Sequence, residues 1–100
     1  MKIHVLKAIN SFTKLRDDIW ECGWWKLEEN KVKQLIGGDI FFHKKKLEPS
    51  FYGGKILGYR IETATPHEGK IIFEFEFLPV CRNIRTDGTG WAVESKIIAE

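Results

Sequence analysis

The sequence predicts an α+β fold: a small, mostly antiparallel sheet of five strands, closed or nearly closed into a β-barrel and accompanied by two short helices. Three observations carry this expectation. Phe73, Phe75 and Phe77 alternate with Glu74 and Glu76, which is the two-residue period of a strand with one packed and one wet face. The stretch from Gly37 to Glu62 reads as two strands joined by a basic loop that contains glycine, and the apolar run Ile40-Phe41-Phe42 would put apolar side chains on both faces of the first. Two further segments carry apolar residues at helical spacing. Closure into a barrel is preferred over an open sheet because it leaves no exposed edges.

Taken in order, Lys2 to Ile9 is a first strand, broken by Asn10-Ser11. Ser11 is positioned to cap a short helix from Phe12 to Trp20, in which Phe12, Leu15 and Ile19 share a face. Glu21 to Lys26 follows, with two adjacent tryptophans beside Gly23; at most one of Trp24 and Trp25 can readily enter the core, so the other covers a surface or lines a pocket. A second helix is predicted from Glu28 to Ile36, with Val32, Leu35 and Ile36 inward and Gly37-Gly38 as its stop. Asp39 to Lys44 and Lys55 to Glu62 are the two strands of the central unit, and Lys70 to Val80 is the strongest strand signal, ended by Pro79. Cys81 to Gly90 reads as a loop with Asp87 in turn chemistry, and Trp91 to Ile98 fits a strand or a short helix.

Length and composition bound the function. One hundred residues, 43% hydrophobic and 13% aromatic, make a single domain spanning residues 1–100. A net charge of +2 is too small for a protein that slides on DNA by charge alone, so a nucleic-acid role would rest on a local patch or pocket. Cys22 and Cys81 have no partner at metal-ligand spacing and read as two reduced, buried thiols. No apolar run reaches membrane-spanning length, and the expectation is a soluble, cytoplasmic protein. Zinc-deaminase, nucleophile-elbow and phosphate-loop motifs are absent, which leaves no catalytic residue, metal or cofactor to assign; Glu74 and Glu76 read as a solvent face.

The strand GGDIFFHKKK, Gly37 to Lys46, resembles the Gly-Asp, apolar-apolar, aromatic-His strand of EVE domains in the PUA-like superfamily. Gly23-Trp24-Trp25-Lys26 is similar to that family's tryptophan segment, and Gly53-Gly54-Lys55-Ile56-Leu57-Gly58 to its return strand. The first strand and its polar turn are alike too, although the usual Glu-Pro pair is missing, and the C-terminal third matches only in strand pattern. The resemblance implies a PUA-like barrel that reads a modified base, methylated or hydroxymethylated, by flipping it out of DNA into an aromatic pocket, as the specificity module of a modification-dependent restriction endonuclease. Asn10, Ser11, Trp24, Trp25, Phe42, His43 and Trp91 would then form the base pocket, and Lys26, Lys44, Lys45, Lys46, Arg82 and Arg85 would hold phosphates. Two other readings are an RNA-binding PUA-like module and a small interaction or inhibitor protein of a phage or mobile element, anchored by Trp25, Phe51 and Tyr52.

Overall fold

The computed structural model describes residues 1–6, 12–64, 66–92 and 94–99. Seven strands form one sheet: β1 (Lys2–Leu6), β2 (Phe12–Arg16), β3 (Ile19–Trp25), β4 (Asp39–His43), β5 (Tyr52–Ile61), β6 (Ile71–Phe77) and β7 (Ser95–Ile98), with one α-helix, α1 (Glu29–Leu35), between β3 and β4. The spatial order is β2-β3-β6-β5-β4-β1-β7. Among the described strands only β1 and β4 pair in parallel, and the excursion through β2, β3 and α1 supplies the crossover such a pair needs.

This corrects the five-stranded barrel with two helices. The sheet is open, with β2 and β7 as its edges, and the described residues form seven strands, one α-helix and a short 3-10 turn at Pro79–Cys81. The segment expected as the first helix, Phe12 to Trp20, is instead the β2–β3 hairpin, paired antiparallel through Phe12↔Cys22 and Thr13↔Glu21. Phe12, Leu15 and Ile19 imitate helical spacing, yet Leu15 is exposed, so no helical stripe is buried. Thr13, Ile19 and Trp20 favour strands, and Asp17-Asp18 supplies the turn. The last segment resolves as strand β7.

The register explains the core. Ile3 lies beside Ile40 and Val5 beside Phe42, while Phe75 lies between Ile56 and Trp20, so one face of the sheet collects these side chains. The sheet coils enough that Phe12 on the β2 edge meets Phe42 on β4, with ring centroids 4.6 Å apart and planes at 67°. Val32 and Leu35 of α1 complete this cluster. Fully burying each of Phe42, Phe73 and Phe75 contributes roughly 2–3 kcal/mol. Gly37, at φ +85°, ends α1 as expected, and the Gly38 N–H donates to the Leu35 carbonyl at 2.9 Å.

The opposite face carries His4, Phe41 and His43, and the segment from Leu78 to Trp91 runs over it. Ser50 fixes that cover: its hydroxyl donates to the Cys81 carbonyl at 2.6 Å and accepts the Ile84 N–H at 2.9 Å. Lys96 of β7, only 8% exposed, holds the Asp87 carboxylate at 2.8 Å and the Asp87 carbonyl at 3.1 Å. Cys22 and Cys81 are both buried and not disulfide-bonded. Among the described residues, no helix is long and apolar enough to cross a membrane.

Candidate nucleic-acid interface

The adjacent tryptophans are separated by a defect in strand pairing. Cys22 pairs with Phe73 but Trp25 with Ile71, so β3 spends three steps where β6 spends two. The extra residue shifts the side-chain alternation, which sends Trp25 inward, 2% exposed, and leaves Trp24 outside, 42% exposed. The Trp25 indole N–H donates to the Cys22 carbonyl at 3.2 Å.

Trp24 is outside but firmly held. Its ring stacks on His67 with centroids 3.9 Å apart and planes within 10°. Its Nε1–H donates to Glu62 Oε1 at 3.1 Å, and this bond is the main cause that holds the Glu62 carboxyl below its usual range. Glu62 also faces Arg60 at 3.6 Å, and Arg60 grips Glu21 with Nε and one terminal nitrogen at 3.0 and 3.2 Å. One face of the Trp24 ring is covered by His67, and the exposed remainder offers a preoriented π surface.

That surface borders a cleft of about 420 Å³. One wall is the chain leaving β3, Trp24 to Leu27; Lys70 contributes from the start of β6, and Ala92, Glu94 and Ser95 come from the approach to β7. A shallower groove of about 370 Å³ shares Lys26, Leu27, Ala92 and Ser95 and continues toward Lys31 and Ile97. The Glu94 carbonyl accepts the Leu6 N–H at 3.0 Å, and the Ala92 N–H donates to the Ser95 carbonyl at 2.8 Å, so this wall is tied to the sheet.

Of the residues expected at a base pocket, Trp24 and Trp25 line the cleft together with the expected phosphate residue Lys26. Trp91 is a chain neighbour of Ala92, but its ring packs edge-on against His43 at 5.8 Å and 88°, with Lys46 over it at 5.8 Å. Its Nε1–H is buried without a hydrogen-bond partner among the described residues. Phe42 is fully buried in the core, and His43 is fully buried in a pair with His4. Lys44 lies over Phe51, Arg82 over Phe77 and Tyr52, Lys45 reaches Glu48 at 4.0 Å, and Arg85 reaches the Leu47 carbonyl at 3.5 Å. Asn10 and Ser11 lie outside the described residues. The cleft therefore gathers three of the expected residues and adds Lys70, Glu94 and Ser95, which sequence reasoning missed. His67 and Glu62, which position Trp24, were missed as well.

No protein-family model matches the chain, and neither a curated protein nor a solved structure matches it.

Proposed function

We propose that this domain is a nucleic-acid reader that receives one unstacked base in the cleft beside Trp24, with Lys26 and Lys70 facing the flanking phosphates. The observation that carries the reading is the exposed, doubly anchored Trp24 ring at the mouth of a cleft of about 420 Å³. Lys26 and Lys70 line the same cleft without an ion-pair partner among the described residues, so their charges are available to an anion. A base needs a π face, a few polar groups for its edge and cations for its backbone, and the cleft supplies each. The resemblance to EVE domains adds a preference for a methylated or hydroxymethylated base in DNA. In that reading the domain contributes recognition, and cleavage belongs to a nuclease domain it serves.

The interaction-protein reading has less support, because Trp25 and Tyr52, two of its three aromatic anchors, are buried at 2% and 8% exposure.

The test is a titration of tryptophan fluorescence with duplexes differing by one methyl or hydroxymethyl group, and with single-stranded DNA and RNA of the same sequence. Trp24→Ala is expected to cost about 1–3 kcal/mol of binding, concentrated on the preferred base. Lys26→Ala and Lys70→Ala should instead weaken every ligand alike and each flatten the salt dependence by roughly one unit of slope. A folded Trp24→Ala variant that binds as wild type would remove the cleft from the mechanism, and tighter binding to RNA would transfer the site to that ligand.

A further inference from the structure

From the polar groups that face the cleft we infer that it selects guanine, with Glu94 reading the Watson–Crick edge of the base. The inference rests on the nucleic-acid reading above and names the base that the site takes. Both indole N–H groups are already spent, that of Trp24 on Glu62 and that of Trp25 on the Cys22 carbonyl. Side-chain hydrogen bonding in the cleft is left to Lys26, Lys70, Glu94 and Ser95. Glu94 is the only one of these that, when ionised, can accept and not donate. None of the four side chains is engaged with another described residue, so one acidic and two basic residues line the same cleft without pairing with each other. A ligand suited to that arrangement offers donors on one side and negative charge or acceptors on the other.

The four bases differ sharply in what they show a carboxylate. Guanine presents two adjacent donors, N1–H and the N2 amine, which match the two oxygens of Glu94. Adenine and cytosine each place a ring-nitrogen acceptor beside their single amine, so one carboxylate oxygen would meet a lone pair. Thymine and uracil present one N–H flanked by two carbonyl oxygens, which repel both carboxylate oxygens. Only guanine pairs without an unfavourable contact, and its O6 is then available to a lysine ammonium while the other lysine meets phosphate. Ser95, whose hydroxyl both donates and accepts, does not oppose this choice.

The experiment uses five-nucleotide single strands of thymidine in which the central base is guanine, adenine, cytosine, thymine or hypoxanthine, titrated by tryptophan fluorescence. Guanine should bind about 5- to 150-fold more tightly than adenine, the discrimination typical of a bidentate base contact. Hypoxanthine, which keeps N1–H but lacks the N2 amine, should fall between them. Glu94→Gln, at an exposed position, should keep the fold by circular dichroism and reduce the guanine preference to within about threefold, since an amide offers one acceptor and one donor. Equal binding of all strands that still depends on Trp24 would overturn the role of Glu94 and leave the nucleic-acid reading standing. A guanine preference that survives Glu94→Gln would also overturn it. Failure of every strand, modified duplexes included, would overturn the nucleic-acid reading itself.

Discussion

Gly54→Ala is expected to destabilise the protein by on the order of 3 kcal/mol or more, enough to leave a substantial unfolded fraction in a domain of this size. A Cβ at this position would overlap the backbone carbonyl of Glu76 on the adjacent strand β6 and press on the Phe75 ring at 3.1 Å. Neither neighbour can give way cheaply: the carbonyl belongs to a ladder strand, and Phe75 is fully buried in the aromatic core. Gly58 on the same strand is the control, since a Cβ there meets nothing within 4 Å and its φ lies outside the left-handed region. Gly58→Ala should therefore stay within about 1 kcal/mol of the parent, and a small gain from a stiffer unfolded chain is the expected sign. Urea denaturation followed by circular dichroism separates the two, and equal midpoints for Gly54→Ala and Gly58→Ala would refute the packing argument.

The same glycines mark where the sequence was legible and where it was not. Gly53-Gly54 reads as punctuation before a strand starting at Lys55, whereas β5 begins at Tyr52 and runs straight through them. Local rules treat glycine as a break, but here it allows another strand's backbone to approach closely. The alternation of Phe73, Phe75 and Phe77 identified β6, and the stop at Gly37-Gly38 placed the end of α1, because both signals are local. The β2–β3 hairpin was hidden because three apolar residues happen to fall at helical spacing, and only the tertiary placement of Leu15 in solvent removes that reading.

The site divides along the same line. A tryptophan pair with one inward and one outward ring follows from chain geometry, and the basic residue beside it is a sequence neighbour. Lys70 reaches the cleft because β6 lies against β3, where Trp25 pairs with Ile71, and Glu94 and Ser95 reach it because the chain returns to lay β7 against β1, a pairing across ninety or more positions that no local pattern encodes. His43 shows the reverse: the strand motif that resembles a base-reading family puts this histidine where a ligand could be imagined, but the fold buries it against a second histidine from β1.

That histidine pair makes the fold sensitive to acid. His43 Nδ1 lies 2.8 Å from the Glu48 carbonyl, which can only accept, so Nδ1 carries the proton and donates. His43 Nε2 is then an acceptor, and His4 Nδ1–H donates to it at 2.7 Å. Both rings are neutral in this arrangement. Burial, followed by the charges of His43, Lys96 and Lys2, lowers the His4 pKa to about 4, and burial is also the main cause that lowers His43. The groups around the pair are the Phe41 ring stacked on His4, the Trp91 ring edge-on to His43, and Lys96 bound to Asp87. Well above pH 6.5 the imidazoles are neutral in both the folded and unfolded chain, and their protonation does not affect stability. Between pH 6.5 and 4 the unfolded chain takes up a proton that folded His4 refuses, so stability falls with decreasing pH, by about 3 kcal/mol over the window. His43 acts with the same sign. Asp87 and Glu62, whose carboxyl pKa values are lowered, stabilise the fold above their unfolded values and lose that contribution only at lower pH, below roughly 4.5. The interval from pH 6.5 to 4.5 therefore isolates the histidines. Urea denaturation at half-unit steps should show a steady loss across that interval in the parent chain and a much shallower one in His4→Gln, whose amide can still donate to His43 Nε2. A parent curve that stays flat from pH 6.5 to 4.5 would mean that the pair accepts a proton without loss of stability, and would overturn this account.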